Sequence, residues 1–388
     1  MAFWLNYSRQ AGIQKQMEEL AWSMARSFSG ENETSAATQE IPSRTAWNPV
    51  VFSDPHDLSK VVDRGINVIN VLSGAYIATW SYAGKAEKPL YKRYKQWFPR
   101  EKFLHERSEA AMIQEWDTVF VFIIQLEEFV NEFLGSIKNR FVLITKPTGG
   151  VLEESLRVKM LNLSQQLVDH PMVVHWFTHD IGRYTGDQES HPKVSPFPLG
   201  LKPKRRNVAF KNTFLSPINT FRKVFRETIE NPVKEKELIF YGFIRDTNNN
   251  RSQIPRGPDL PYIDYLRRIA RAHYVISPDG DHPDCNRHYE SLGLGAIPIT
   301  QLDARRYRHL QGAPVIFDNQ DWDNQTLSKR LLASNSSVPN RVVNRNFAFE
   351  EFWMEYVERI VGRPLRWFDV LQGKAAFMAD FQMKTNHS

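Results

Sequence analysis

The chain alternates between short apolar runs and longer amphipathic segments. In its first half, apolar runs at 117–124, 141–147 and 172–178 predict strands. The segments between them, 125–140 and 155–170, carry apolar residues at helical spacing and predict helices. Strands that alternate with helices of this length are typical of βαβ units, so this half predicts a parallel sheet.

The second half repeats the alternation. Its apolar runs predict four strands, at 237–244, 273–278, 296–300 and 313–317. Its amphipathic segments predict helices at 264–272 and 284–295, and a helical tail at 349–381 with a break at Pro364. A Pro-rich stretch at 191–206 interrupts the pattern, and together with a predicted helix at about 212–230 it predicts the passage between two domains.

These elements predict an α/β protein with two Rossmann-like, doubly wound domains that face a central cleft. The predicted segments are an N-terminal helix and flexible loop at 1–60, a first domain at 61–205, a second domain at 206–345 and C-terminal helices at 346–388 that pack back across the domains. A length of 388 residues agrees with two domains. The pattern is weakest at 61–115, where the signals for helix and strand are mixed.

Composition narrows the possible classes of protein. A hydrophobic content of 41% suits packed cores, and no run approaches the roughly 20 apolar residues that a membrane span requires. The single cysteine, Cys285, excludes an intramolecular disulfide. A net charge of +6 gathers in basic patches at 202–206, 266–273 and 305–310, which suit an anionic partner or solvated helix faces. No helix-turn-helix, zinc or RNP-type pattern accompanies them, so a nucleic-acid partner is not expected.

The loop Ser277–Pro283 joins a predicted strand to a predicted helix. Ligands bind at the carboxyl ends of parallel strands, and the first N–H groups of the following helix attract anions. Asp284 is expected to cap this helix. Arg287 in its first turn suits a diphosphate, and Glu290, one turn later on the same face, suits the two hydroxyls of a ribose.

A simpler interpretation of the same helix is an exposed ion pair. Arg287 and Glu290 stand three residues apart, and pairs at this spacing are common on helix surfaces. Gly293 and Gly295 are expected to end the helix and to allow a tight turn into the next strand.

The stretch "SPDGDHPDCNRHYESLGLGAIPI" at 277–299 resembles the donor-site signature of exostosin-like glycosyltransferases, which is a Ser-Pro-x-Gly loop, an Arg and a Glu-Ala/Ser-Leu-x-x-Gly-x-Ile-Pro run. The matching residues are Ser277, Pro278, Gly280, Arg287, Glu290, Gly295, Ile297 and Pro298. With weaker matches upstream, the resemblance covers roughly 117–320. Asp180 departs from the asparagine expected there, and "KPTGG" at 146–150 departs from the expected loop.

The resemblance implies a glycosyltransferase of the two-Rossmann-domain (GT-B) type, with the sugar nucleotide in the second domain and the acceptor on the first. Arg287 would hold the diphosphate and Glu290 the ribose. The other residues implied to line the donor site are Gly242, Arg245, Ser277 and Gly280.

The resemblance also implies inverting transfer, in which a side chain of the first domain takes the acceptor proton. Asp180 is the first candidate and His179 the second, because both follow the predicted strand at 172–178. Arg287 and Arg245 would stabilise the leaving group, so a divalent metal is not expected to be essential and no other cofactor is expected. The expected partners are a UDP- or GDP-sugar and a glycan or other hydroxyl acceptor. Localisation stays open between the cytoplasm and the Golgi lumen.

Two alternatives remain. Asp279 and Asp281 form an Asp-x-Asp pattern, which holds Mn²⁺ or Mg²⁺ on the diphosphate in metal-dependent glycosyltransferases. Asp321 and Asp323 match the same three-residue pattern, so it is weakly specific. The second alternative is a catalytically inactive glycosyltransferase fold that serves as a binding scaffold.

Overall fold

The computed structural model describes most of the chain between residues 68 and 367. The described residues are 68–69, 73–84, 103–147, 154–179, 181–182, 185, 188, 190–201, 216–233, 235–244, 251, 254–280, 282–310, 313–318, 322, 324–334, 343 and 345–367. All of them belong to one compact unit, Val51–Ser388. The helix and loop predicted at 1–60 and the tail beyond 367 lie outside the described residues. The division at 61–205, 206–345 and 346–388 stays a prediction.

The first sheet contains six strands, and every pair of neighbours is parallel. In chain order the strands are β1 (Trp80–Tyr82), β2 (Phe103–Leu104), β3 (Asp117–Phe122), β4 (Phe141–Lys146), β5 (Val173–Thr178) and β6 (Val194–Pro196). Across the sheet they run β2-β1-β3-β4-β5-β6. The order therefore reverses between β1 and β3, and such a reversal is the mark of a doubly wound sheet.

Helices cover both faces of this sheet, which is why its central strands are apolar on both sides. The helices that accompany its strands are α1 (Ser73–Ile77), which precedes β1, α2 (Leu126–Glu128), which follows β3, and α3 (Glu154–Asp169), which follows β4. On one face, Leu143 of β4 shares a core cluster with Met160 and Leu167 of α3. On the other face, Ile144 shares a different cluster with Ile77 of α1.

The helix predicted at 125–140 is shorter and less regular than expected. It begins with a 3₁₀ turn, Ile123–Gln125, passes through α2 and a π-turn, Phe129–Phe133, and ends with a second 3₁₀ turn, Leu134–Ser136. Ile137 then takes an extended conformation and is 3% exposed. Burial of this side chain in the core ends the helix before the sequence pattern does.

The second sheet contains four parallel strands. They are β7 (Glu237–Phe240), β8 (Ala272–Ile276), β9 (Ile297–Thr300) and β10 (Ile316–Phe317), and they lie side by side in chain order. The accompanying helices are α4 (Ser216–Glu230), α5 (Tyr262–Ala270), α6 (Asn286–Leu294), α7 (Asn324–Ser334) and α8 (Glu350–Val361). One core cluster joins this sheet to α4, α5 and α6, and another joins it to α7.

Helix α8 contributes to the cores of both sheets. Trp353 is buried in the cluster of the second sheet that contains α5 and α6. Val357, one turn later, is buried in a cluster of the first sheet. The hydroxyl of Tyr356 donates a hydrogen bond to the carbonyl of Pro196 at 3.3 Å.

The prediction of two Rossmann-like α/β sheets is confirmed, and three details of the sequence analysis are corrected. The Pro-rich stretch contains β6, an edge strand that ends at Pro196, where a missing N–H removes no ladder hydrogen bond. The strand β7 ends at Phe240 and not at Ile244. Gly293 lies inside α6, where a Cβ would stand 2.6 Å from Phe221, so it serves close packing and only Gly295 ends the helix.

Candidate functional site

Arg287 links the carboxyl ends of two strands to the start of α6. Its Nη1 donates to the carbonyl of Ile276 at the end of β8 (3.0 Å), and its Nη2 to the carbonyl of Phe243 beyond β7 (2.8 Å). Its Nε donates to the hydroxyl of Tyr265 on α5 (3.0 Å). Three of the five N–H groups of the guanidinium thus bind described protein atoms. The side chain is partly buried, so the alternative of an exposed surface pair does not fit it.

Glu290 is 5% exposed, and both of its carboxylate oxygens accept hydrogen bonds from tyrosines of α5. The hydroxyl of Tyr262 donates to Oε1 at 2.8 Å, and that of Tyr265 donates to Oε2 at 2.9 Å. Because Tyr265 also accepts from Arg287, its hydroxyl connects the arginine to the glutamate. The two residues that the sequence analysis paired are therefore joined through a third that it did not name.

Gly242, which the sequence analysis assigned to the donor site, lies against this group. A Cβ at Gly242 would stand 3.1 Å from a ring carbon of Tyr265 and 3.6 Å from the guanidinium carbon of Arg287. The absence of a side chain therefore lets the chain beyond β7 approach both residues. The amide of Gly257 donates to the carbonyl of Gly242 at 3.3 Å and holds this segment in position.

The loop after β8 contains two further predicted residues, Ser277 and Gly280. Ser277 is buried, and its hydroxyl lies 3.2 Å from Sγ of Cys285. Arg251 donates to the carbonyls of Pro278 (3.0 Å) and Asp279, and a Cβ at Gly280 would stand 2.9 Å from its Nη2. Arg251 thus holds the loop through two of its carbonyl groups.

Three other predicted residues lie outside the described residues. They are Asp180, the first candidate for the base, Arg245 of the donor site and Asp281 of the Asp-x-Asp alternative. Their assignments stay predictions. His179, the second candidate for the base, is described, and it is fully buried where the polypeptide leaves β5.

A buried polar cluster surrounds Asp284. Its Oδ2 accepts hydrogen bonds from the backbone N–H of Leu199 (2.9 Å) and from the hydroxyl of Tyr289 (2.7 Å). Nε2 of His179 lies 3.8 Å from Oδ2, and Nε2 of His309 lies 3.9 Å from it. Since Leu199 and His179 belong to the first sheet's side and Asp284 to the second, the carboxyl edges of the two sheets meet here.

The cluster corrects the role expected for Asp284, because the residue that caps α6 is Cys285. His288 is the remaining imidazole around the carboxylate, with Nδ1 3.3 Å from Oδ1 of Asp284. Burial alone would raise the pKa of Asp284, but the hydrogen bond from His288 and the charges of the three imidazoles hold the pKa well below its ordinary value. Asp284 is thus a buried carboxylate at the contact between the sheets.

Cys285 and His288 form a second interacting pair in the same cluster. Sγ of Cys285 lies 3.9 Å from Nε2 of His288. Burial raises the pKa of the Cys285 thiol, but His288 and Ser277 lower it to about 7. Burial lowers the pKa of His288, but the Cys285 thiolate and the Asp284 carboxylate raise it to about 10. The positive charge on His288 thus favours the ionised forms of both neighbours.

Lys146 brings a cation to this contact from the end of β4. It is fully buried, and its Nζ donates to the carbonyl of Leu199 at 3.2 Å and lies 4.9 Å from the ring centroid of Phe197. Burial lowers the pKa of Lys146 from 10.5 to about 7, although the charges of Asp284 and Glu350 oppose the shift. Leu199 therefore binds Lys146 through its carbonyl and Asp284 through its amide.

Replacing Lys146 by methionine is expected to raise the free energy of unfolding at pH 7 by about 1–4 kcal/mol, because the desolvation of this ammonium exceeds its attraction to Asp284 and Glu350 and methionine avoids that cost. Between pH 7 and 10.5 the unfolded chain holds a proton on this lysine that the folded chain lacks, so this group's contribution to stability increases with pH. The advantage of Lys146→Met should therefore shrink as the pH rises and vanish above 10.5. Urea unfolding of both proteins at pH 7, 8.5 and 9.5 measures this difference in the free energy of unfolding.

The matched control is Lys159→Met. Lys159 pairs with Glu127 at 3.1 Å, and its side chain is 56% exposed. Its replacement should change the free energy of unfolding by less than about 0.5 kcal/mol at each pH, as for other surface positions. A difference between Lys146→Met and wild type that does not vary with pH would show that the lysine is charged throughout this range.

The sequence analysis missed most of the residues that surround the predicted site. Tyr262 and Tyr265 follow the ordinary amphipathic pattern of α5 and carry no motif. His309 and Lys146 come from segments outside the stretch at 277–299. A buried lysine at the end of an otherwise apolar strand was the one available signal, because lysine is rarely buried without a partner.

Among the residues that the structure describes, no group of three or more His, Cys, Asp or Glu side chains is arranged to hold a metal ion. No helix among the described residues has the length and apolar character needed to cross a membrane. Since Asp281 lies outside these residues, the Asp-x-Asp alternative is untested.

Comparisons with known proteins give weak likenesses. No protein-family model matches the chain, and no curated protein does. One similar solved structure is titled "alpha-glucosyltransferase in complex with UDP-glucose and DNA containing an abasic site", with 11% identity over 74% of this chain and 100% of that chain and a TM-score of 0.29. Another, "Crystal structure of GtfA/B complex", shows 12% identity over 66% of this chain and 59% of that chain and a TM-score of 0.28. At these values neither likeness bears on the reaction of this chain.

Proposed function

We propose that the protein is a glycosyltransferase that takes a sugar from a UDP- or GDP-sugar and transfers it to a hydroxyl acceptor. The observation that carries the proposal is the occurrence of Arg287 and Glu290 together at the carboxyl edge of a parallel sheet, in a helix that begins there. Ligands of α/β proteins bind at this edge. An arginine and a buried glutamate one turn apart match the diphosphate and the ribose of a sugar nucleotide.

The diphosphate is assigned to Arg287 and to the N-terminus of α6. Three N–H groups of Arg287 donate to described protein atoms, so one N–H on each Nη nitrogen remains for phosphate oxygens. The first backbone N–H groups of α6 add a positive potential on the same side. Gly242, Ser277 and Gly280 would line this site, where residues with little or no side chain leave room for the ligand. Arg245 would approach from the chain beyond β7.

The ribose is assigned to Glu290. Its carboxylate accepts two tyrosine hydrogen bonds and has further lone pairs on both oxygens for vicinal hydroxyls. Hydrogen bonds from the ribose hydroxyls to this carboxylate would be strong, because hydrogen bonds to charged groups contribute about 1.5–3 kcal/mol each. The sequence resemblance at 277–299 supports the same roles and the narrower proposal that the enzyme is exostosin-like.

Transfer is proposed to proceed with inversion. The acceptor oxygen forms a bond to the anomeric carbon while the bond from that carbon to the diphosphate oxygen breaks. The acceptor proton passes to Asp180 or His179, and the leaving diphosphate carries the electron pair. Arg287 and Arg245 would stabilise its charge without a metal. His179 is buried just beyond the carboxyl end of β5. For this residue to act as the base, the acceptor must reach that buried position.

Purified protein is expected to gain thermal stability from UDP or GDP in the presence of EDTA. A ligand that binds only the folded chain adds about 2.7 kcal/mol at a concentration one hundred times its Kd, which raises the melting temperature by several degrees. A rise that requires Mn²⁺ would move the diphosphate to Asp279 and Asp281. No rise with either nucleotide, with or without Mn²⁺, would contradict the proposed function.

Binding without turnover would favour the inactive scaffold. Hydrolysis of UDP-sugars to free sugar and UDP, measured against buffer alone, separates the two functions because water can replace the acceptor in an active site. Activity above the buffer rate that disappears in Arg287→Ala supports an enzyme. Tight nucleotide binding with hydrolysis no faster than in buffer supports a scaffold.

A further inference from the structure

Tyr265 stands between the two proposed donor contacts. Its hydroxyl accepts a hydrogen bond from Nε of Arg287 at 3.0 Å and donates one to Oε2 of Glu290 at 2.9 Å. Its side chain is 7% exposed, and the guanidinium carbon of Arg287 lies 5.6 Å from its ring centroid. Phe240 at the end of β7 packs against the same ring, with 6.0 Å between centroids. The position of this hydroxyl is therefore set by packing on several sides.

Protonation gives the Tyr265 hydroxyl a fixed direction. Burial raises the pKa of Tyr265, and the charge of Glu290 adds to this rise while that of Arg287 opposes it. The hydroxyl therefore stays protonated and donates a hydrogen bond to the carboxylate of Glu290. Its oxygen accepts the hydrogen bond from Arg287. A hydrogen-bond chain runs from the cation through the hydroxyl to the carboxylate in one direction.

A carboxylate that binds two vicinal hydroxyls must keep both oxygens in one orientation. The glutamate side chain has three rotatable bonds, and its terminal torsion is broad. The hydrogen bond from Tyr265 ties one oxygen to the arginine and so removes this freedom before a ligand arrives. Preorganisation of this kind increases affinity because less ordering is left for the binding step.

We propose that Tyr265 is a positioning residue of the donor site, which holds Glu290 in the orientation that recognises ribose hydroxyls next to the diphosphate on Arg287. This inference rests on the proposed function. It extends that function, because it makes recognition of the ribose depend on a side chain of the neighbouring helix α5. It also explains why Gly242 lies against Tyr265, since a Cβ 3.1 Å from the ring would move the hydroxyl.

Tyr262 provides the matched comparison. It lies on the same helix, its ring stacks on that of Tyr265 with 6.0 Å between centroids, and it donates to Oε1 of the same glutamate at 2.8 Å. It is more exposed than Tyr265. Tyr265 is hydrogen-bonded to both Arg287 and Glu290, and the hydrogen bond described for Tyr262 goes to Glu290, so the same substitution at the two positions should have different effects.

The experiment measures the affinities of UDP and 2′-deoxy-UDP, and of GDP and 2′-deoxy-GDP, by calorimetry. In the wild type, loss of the 2′-hydroxyl is expected to weaken binding about tenfold or more, because it removes a hydrogen bond to a charged group. In Tyr265→Phe, the ribonucleotide should bind about tenfold more weakly and the ratio between the two nucleotides should fall to about 3 or less. Tyr262→Phe should keep the wild-type ratio within about threefold.

A double-mutant cycle tests whether Tyr265 acts through Glu290. Glu290→Gln should also abolish the preference for the ribonucleotide. If Tyr265 positions this carboxylate, Tyr265→Phe should add little to the loss already caused by Glu290→Gln. Fully additive losses would overturn the proposal. A merely structural tyrosine would lower affinity for both nucleotides equally and leave their ratio unchanged, and that result would overturn it as well.

The outcomes separate this inference from the proposed function. A wild type that binds neither UDP nor GDP contradicts both. A wild type that binds one of them, with Tyr265→Phe keeping the full preference for the ribonucleotide, overturns the role of Tyr265 and leaves the donor site intact. Retention of the phenyl ring keeps the packing against Phe240, and near-ultraviolet circular dichroism verifies that each variant is folded.

Discussion

Replacing Asp284 by alanine is expected to lower the free energy of unfolding by about 3–5 kcal/mol, because it breaks a buried charge network from one side. The variant leaves the amide of Leu199 and the hydroxyl of Tyr289 without the carboxylate that now accepts their hydrogen bonds. It also leaves the imidazolium of His288 buried without its carboxylate partner. Urea unfolding at pH 7 measures the loss.

Asp303 offers a control of the same residue type. It pairs with Arg305 at 3.3 Å, its side chain is 37% exposed, and Asp303→Ala should cost no more than about 1 kcal/mol, as exposed pairs do. Asp284→Asn keeps the shape and an acceptor for Leu199 but loses the charge, so its cost should fall between the two alanine variants. A loss below about 1 kcal/mol in Asp284→Ala would mean that the cluster does not hold the sheets together.

The dependence of the free energy of unfolding on pH in the acid range gives a second test of the role of Asp284. A carboxyl whose pKa is lower in the folded chain contributes stability above its unfolded pKa, about 3.9, and loses it as the pH falls toward the folded value. The pKa of Asp284 is depressed, so its contribution persists at pH 4. Below pH 4, the difference between wild type and Asp284→Asn should therefore diminish, because the unfolded chain takes up the proton of this carboxyl while the folded chain does not.

Much of the fold could be predicted from the sequence because its central strands are buried on both faces. The apolar runs at 141–147, 172–178 and 296–300 end within two residues of β4, β5 and β9. Continuous apolar runs are what buried parallel strands require, so local pattern and global fold agree there. The short strands β1 and β2 carry only three and two residues, and no periodicity is visible over such lengths.

The residues of the candidate site also fall into two groups, those that a local sequence motif predicts and those that only the fold brings together. Arg287 and Glu290 belong to one helix and one local motif, so the sequence alone brought them together. The cluster at Asp284 combines His288, which is four residues away in sequence, with His309 and His179, which come from other segments of the chain. An aspartate just before a helix suggests a cap on local grounds, and only the meeting of the two sheets gives it a different role.

Arg287→Ala is expected to weaken the binding of UDP or GDP by at least about a hundredfold. Two charge-assisted hydrogen bonds to phosphate are worth about 3–6 kcal/mol together, and each 1.4 kcal/mol changes Kd tenfold. Unlike a side chain that only faces a cleft, Arg287 also donates to the carbonyls of Ile276 and Phe243. The variant should therefore melt at a lower temperature even without nucleotide.

Arg268→Ala is the control for both the loss of nucleotide affinity and the lower melting temperature. Arg268 lies on α5 and pairs with Glu237 at 2.7 Å, its side chain is 51% exposed, and it makes no described contact with Glu290. Its loss should change neither nucleotide affinity nor the melting temperature by more than a small amount. For Arg287→Ala, affinity measured well below its own melting temperature isolates the binding effect. A folded variant that still binds the nucleotide within about threefold of wild type would remove Arg287 from the donor site and leave it as a structural link between β7, β8 and α5.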